Sequence, residues 1–223
     1  MDTKLIVILI FAVLSLFLCL TSSLFTKTEK VKTFIALKGL SSFSYALLGL
    51  VACNLVFNMK AYSLFIIVGI VVFMFSNIVR AIPTRSDMFH TFYTFIEALG
   101  FAFLTVSVFF IVEMPLIGLI AAAGTFLVTM IVYLIVRKKD LKKDKLANLS
   151  LILTASLLLG VAVNFAIIFL TVQAFIMAGG AALLFTYVVL QAFTSFTNKS
   201  CVIAKNIMLG LGQICLALSI FFI

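Results

Sequence analysis

The chain has no tryptophan, two prolines, one histidine and little charge: 10% of its 223 residues are Asp, Glu, Lys or Arg, and only 7 are acidic. An ordinary soluble domain is about a quarter charged, so no polar coat exists here for a water-soluble core. The prolines, Pro83 and Pro115, fall between apolar runs and leave them unbroken. His90 and the singly placed Cys19, Cys53, Cys201 and Cys215, with no C-x-x-C pair, indicate neither a disulfide framework nor a metal site. Gly179-Gly180 and Gly210-x-Gly212 have no strand before them and no downstream phosphate-loop lysine, so no nucleotide cofactor is expected. Close helix packing is the expected use of these glycines.

What the chain does have is apolar sequence: 65% hydrophobic residues, 25 of them Phe, and a mean hydropathy of +1.36. A membrane-spanning helix needs about 20 mainly apolar residues. Runs of that kind occupy 5–25, 33–57, 61–82, 89–112, 116–136, 147–170, 174–196 and 202–223. They predict an all-α polytopic integral membrane protein, with eight transmembrane helices forming one bundle and a single domain over 1–223. A transmembrane barrel needs alternating segments with polar inward positions, whereas Leu5 to Leu20 is apolar on every face. The first run is too long for a signal-peptide core and no small-x-small cleavage site follows it, so it is expected to be a retained helix.

The basic residues give an orientation, because cytoplasmic loops collect Lys and Arg. Loops one, three, five and seven carry 3, 2, 6 and 2 of them, with Arg80 counted to loop three and Lys205 to loop seven. The other loops and the two termini together carry 2. The odd loops are therefore expected to be cytoplasmic and both termini non-cytoplasmic. The run Arg137 to Lys145 reads as an anchor on anionic headgroups. The net charge of +9 thus reflects topology, and no nucleic-acid partner is expected.

Within spans the informative residues are those the bilayer should exclude, since a charge at its centre costs at least about 2.5–3.5 kcal/mol. Lys38 and Glu97 are the ionisable residues the spans contain. Lys38 lies about 8 Å from the odd-loop end of the second span and Glu97 about 12 Å from that of the fourth. Asn77, Gln191 and Asn206 lie at similar depth on the third, seventh and eighth. Lys38, Ser41, Ser42 and Tyr45 fall at i, i+3, i+4 and i+7, one helix face, with Gly39 and Gly49 expected to admit neighbouring helices. Arg80 is about one turn from Asn77, and Tyr93 and Glu97 share a stripe. A polar cavity in the cytoplasmic half is expected, alongside the structural reading in which these groups are interhelical hydrogen-bond partners and Lys38 and Glu97 pair with each other.

The pattern resembles the YhhN family of eight-helix membrane proteins. The residues that carry the likeness are Lys38-Gly39-Leu40 in the second span, Gly69 in the third, Gly180-Ala-Ala-Leu-Leu-Phe185 in the seventh, and Gly210-Leu-Gly-Gln213 followed by Leu216-Ala-Leu-Ser219 in the eighth. The resemblance implies a lysoplasmalogenase, an enzyme that hydrolyses the vinyl-ether bond of a lysophospholipid and releases a fatty aldehyde. Two departures stand against that activity. The acidic positions of the family fall on Asn77, behind Ser76, and on Val189, behind Val188.

Vinyl-ether hydrolysis starts with proton delivery to carbon, which requires an acid; Asn77 and Val189 supply none, and Glu97 is the acid that remains within a span. The expected site therefore has Glu97 and Asn77 in the catalytic positions, with Lys38, Ser41, Ser42, Tyr45, Arg80, Tyr93, Gln191, Asn206 and Gln213 around the substrate. Membrane lipids, with a lysophospholipid as substrate, are the expected partners, and no cofactor or metal is expected. The alternative reading is a non-catalytic lipid-binding relative. A small-solute transporter fits less well, because the polar groups stop half-way across.

Overall fold

The computed structural model describes residues 3–25, 31–56, 60–82, 87–112, 116–136, 145–193 and 199–222. Among them are eight helices and no strand: α1 (Thr3–Leu24), α2 (Val31–Val56), α3 (Ala61–Ala81), α4 (Asp87–Phe109), α5 (Leu116–Val136), α6 (Lys145–Phe169), α7 (Val172–Phe193) and α8 (Lys199–Ser219). Each is long and apolar enough to cross a membrane. In lipid only a helix or a closed barrel satisfies every backbone group internally, which is why uninterrupted apolar runs become helices here. The loops that hold Pro83, Pro115 and Arg137–Asp144 lie outside the described residues.

The helices form a ring in the order α1, α2, α3, α4, α6, α7, α8 and back to α1, with α8 also packed on α2 and, more lightly, on α3. α5 sits outside this ring against α6 and touches α7 slightly. Its Leu116, Ile117, Ile120, Val128 and Ile135 are exposed, as befits a helix whose solvent is lipid.

Three glycine pairs bring neighbouring helices together: Gly69 with Gly100, Gly118 with Gly160, and Gly180 with Gly212. The α5–α6 crossing is the tightest. A Cβ at Gly160 would lie 2.4 Å from the Gly118 carbonyl oxygen and 2.7 Å from the Ala122 nitrogen, a backbone approach that any side chain would block. Gly180 and Gly212 serve the packing role expected from sequence. Gly39 does not, since a Cβ there would meet nothing within 4 Å, and Gly49 makes only ordinary contacts.

The α6–α7 connection is shorter than the expected break at 171–173. Leu170 takes a left-handed φ of 49°, and the Thr171 hydroxyl accepts a bond from the Ala174 N–H at 3.3 Å. α7 therefore begins at once, with Gln173 inside it. At this same even-connection end, Tyr62 and Ser219 share a 2.8 Å hydrogen bond between buried hydroxyls.

A buried polar cluster as candidate functional site

Glu97 on α4 is the centre of the cluster and is fully buried. Its Oε1 accepts from the Ser76 hydroxyl at 3.0 Å and the Tyr187 hydroxyl at 2.9 Å, and forms a salt bridge with Arg80. Its Oε2 accepts from the Gln191 amide at 3.2 Å. Arg80 also donates to the Tyr187 hydroxyl, and its guanidinium carbon stands 4.8 Å from the ring centre of Tyr93 and 5.5 Å from that of Tyr187. Among the described residues no Cα–Cα distance between α4 and α7 falls within 8 Å. Side chains alone bridge these two helices.

Helix direction explains the pairing. Side chains on a helix lean toward its N-terminus. α3 and α7 run toward the odd-connection end, so Arg80, Tyr187 and Gln191 lean inward; α4 runs away from it, so Glu97 leans outward to meet them. Lys38 starts from α2, which runs away from that end, and leans outward as Glu97 does. The expected pair of Lys38 with Glu97 is therefore replaced by Arg80 with Glu97.

A second group of polar residues adjoins the first. Asn77, next to Ser76, donates to the Ser42 hydroxyl at 3.1 Å. On α2, the hydroxyls of Ser41 and Tyr45 lie 3.3 Å apart, and Ser22 of α1 donates to Ser41 at 3.3 Å. Tyr45 and Cys19 crowd Gly210 of α8: a Cβ there would lie 2.7 Å from the Tyr45 hydroxyl and 2.2 Å from the Cys19 sulfur. Lys38 is buried on this α2 face, within electrostatic reach of Arg80, which repels it, and of Glu97, which attracts it.

Lys205 was expected in loop seven but stands on α8 instead, buried beside Asn206 and within electrostatic reach of Arg80, Lys38 and Glu97. Gln213 lies deeper on the same stripe, about 12 Å further along α8. It is fully buried, and among the described residues neither its amide oxygen nor its amide nitrogen has a hydrogen-bond partner.

Most of the residues singled out from sequence thus fall into two adjoining groups toward the odd-connection end of the bundle. Glu97, Arg80, Tyr93 and Gln191 form the first; Asn77, Ser42, Ser41, Tyr45 and Lys38 line the second; Asn206 and Gln213 stand on α8. Sequence reasoning missed Ser76, Tyr187 and Lys205. The signals were there: Ser76 is one turn before Arg80, Tyr187 one turn before Gln191, and Lys205 adjoins Asn206. The even-connection half is sparser, with Asn54 exposed and Asn164 buried against Gly118. The four cysteines are free thiols.

Set against protein-family models, curated proteins and solved structures, the chain matches none of them.

Proposed function

We propose that this membrane protein binds the polar head of a single-chain lipid, a lysolipid, among α2, α3, α4, α7 and α8 on its cytoplasmic side, and that it does so without hydrolysing it. One observation carries the reading. Lys38, Arg80, Glu97 and Lys205 are gathered with Asn77, Gln191 and Asn206 at one level of a bundle that otherwise offers lipid an apolar surface. Intramembrane ionisable groups are expensive, and their common use is at a ligand or ion site.

The order and spacing that resemble the YhhN family support a lysolipid as ligand. The arrangement of Glu97 argues against hydrolysis. Both its oxygens accept hydrogen bonds and one is paired with Arg80, so it is built as an acceptor and not as a donor of protons to carbon. Asn77 is spent on Ser42, and Val189 has no proton to give. The cytoplasmic assignment follows the basic residues: leaving out Arg80 and Lys205, the odd connections and the first two residues of the helices that follow them still carry 11 bases, against Lys4 and Lys60 at the other end.

The test is to purify the protein in a neutral maltoside detergent, identify co-purifying lipid by mass spectrometry, and incubate the protein with lysoplasmenylcholine and lysoplasmenylethanolamine. Retained single-chain lipid with no aldehyde released is the expected result. Aldehyde release that Glu97→Gln abolishes would establish the enzyme instead, and absence of any lipid binding would refute the proposal.

A further inference from the structure

Across α2, α3 and α8 lies a set of buried polar side chains that carry no charge: the hydroxyls of Ser41, Ser42 and Tyr45 and the carboxamides of Asn77 and Gln213. Asn77 bonds to Ser42, and Ser41 meets Tyr45 and Ser22. Gln213 stands apart. It is 0% exposed, and among the described residues neither its amide oxygen nor its amide nitrogen is met. A buried amide left open on both sides calls for a partner that donates and accepts at once. A hydroxyl does both, whereas a phosphate or carboxylate only accepts and an ammonium only donates.

Helix register places that amide. α2 and α8 both leave the odd-connection end; Gly210 faces the Tyr45 hydroxyl, and Gly49 faces Ala217 and Ile220. Gln213 lies between these two crossings, on the α8 stripe of Asn206, Gly210, Gln213 and Ala217 at i, i+4, i+7 and i+11. Its side chain leans toward the N-terminus of α8, which carries the amide back toward the level of Gly210 and Tyr45, about 6 Å along the helix from Asn206. The next turn of α8 brings Leu216 and Ala217, and one and two turns from Asn77 on α3 stand Phe73 and Ile70, all fully buried. Polar side chains thus give way to apolar ones just beyond Gln213. In a single-chain lipid whose head lies at the level of Glu97 and Asn206, the unit that reaches this boundary is the three-carbon glycerol, with its free hydroxyl next to the start of the chain.

We propose that Gln213 is the specificity-determining residue of the site: its amide binds the free hydroxyl of the glycerol backbone, so the protein takes a lysolipid and discriminates against single-chain lipids that lack or mask that hydroxyl. This rests on the reading of the cluster as a lipid-head site and specifies the backbone of the ligand.

The experiment uses the full chain in maltoside and three ligands of one acyl length and one phosphocholine head: lysophosphatidylcholine with its free 2-hydroxyl, the 2-O-methyl ether and the 2-deoxy analogue. Free glycerol is the fourth ligand. Lysophosphatidylcholine should bind about tenfold tighter than the other two lipids, which leave the buried amide unpaired. Gln213→Met, close in shape but without the amide, should bind the three lipids within about twofold of one another. Without ligand it should unfold at or above the wild-type midpoint, because an apolar side chain of the same shape replaces an unpaired amide.

Equal binding of the three lipids by the wild-type chain would overturn the inference and leave the lipid-head reading standing. A preference that survives Gln213→Met, or a clearly lower midpoint of that variant without ligand, would show that the amide is spent inside the bundle and would overturn its assignment. Glycerol binding as tightly as lysophosphatidylcholine would overturn it in favour of a free-polyol site. Binding of none of the four would refute the lipid-head reading and this inference with it.

Discussion

The Arg80–Glu97 pair offers the sharpest quantitative test of the buried network. The Glu97 side chain is 1% exposed and that of Arg80 17%, so neither charge is well hydrated. Breaking a buried pair by removing one partner costs about 3–5 kcal/mol, because the other charge is left uncompensated. Arg80→Met strands Glu97 but leaves it three neutral donors, Ser76, Tyr187 and Gln191, which places the cost near the lower bound, about 3 kcal/mol. Glu97→Met strands Arg80, which can extend its stem toward headgroups, but also orphans those three donors at about 1 kcal/mol each.

The double variant removes both charges, so it should cost about 3 kcal/mol and not the sum of the two, giving a coupling energy near 3 kcal/mol. Reversible unfolding in mixed micelles of rising dodecyl sulfate content measures all three variants. A coupling below about 0.5 kcal/mol, the scatter of independent sites, would refute the pairing and the account of why helix direction produces it. The matching cycle of Lys38→Met with Glu97→Met serves as the internal comparison and should show coupling well below that of Arg80, since Lys38 reaches Glu97 only through the longer-range field.

Three further outcomes follow from packing and backbone geometry. Gly160→Ala should destabilise by about 3 kcal/mol, the upper range for overpacking, because its Cβ meets backbone on the facing helix; Gly124→Ala on α5, with nothing within 4 Å of the added Cβ, should lie within about 0.5 kcal/mol of wild type, and equal midpoints for the two in detergent melts would refute the close crossing. Leu170→Gly should raise stability by about 0.5–1 kcal/mol, since the left-handed φ of 49° costs an L-residue more than glycine loses in chain entropy; a lower unfolding midpoint would count against that conformation. Tyr62→Phe should cost about 1 kcal/mol, the worth of its bond to Ser219, and Ser219→Ala in the Tyr62→Phe background should add little. Full additivity of those two would show that the hydroxyls do not meet.

The helix count and boundaries were legible because a lipid solvent makes one demand, continuous apolar length, and the sequence states it openly. The site was legible at the level of depth and of face. The i, i+3, i+4, i+7 run on α2 did gather Lys38, Ser41, Ser42 and Tyr45 on the buried side. Partners were not legible, because depth and face leave out the direction in which each side chain leans. Lys38 and Glu97 occupy similar levels, yet both sit on helices that leave the odd-connection end and lean the same way; Arg80 approaches from an opposed helix and meets the carboxylate.

Lys205 shows the other weakness. Counted as loop charge it strengthened the topology argument, and its cost as a buried cation went unnoticed, although Asn206 beside it was already placed inside the span. The charge bias did not need it, since without Lys205 and Arg80 the odd connections and the first two residues of the helices that follow them keep 11 bases, against 2 at the other end. Two cations that topology does not require thus lie inside helices, Lys205 buried and Arg80 with its side chain 17% exposed, where lipid makes a charge costly. Arg80 is held there by Glu97, and the opposed directions of α3 and α4 bring the two together.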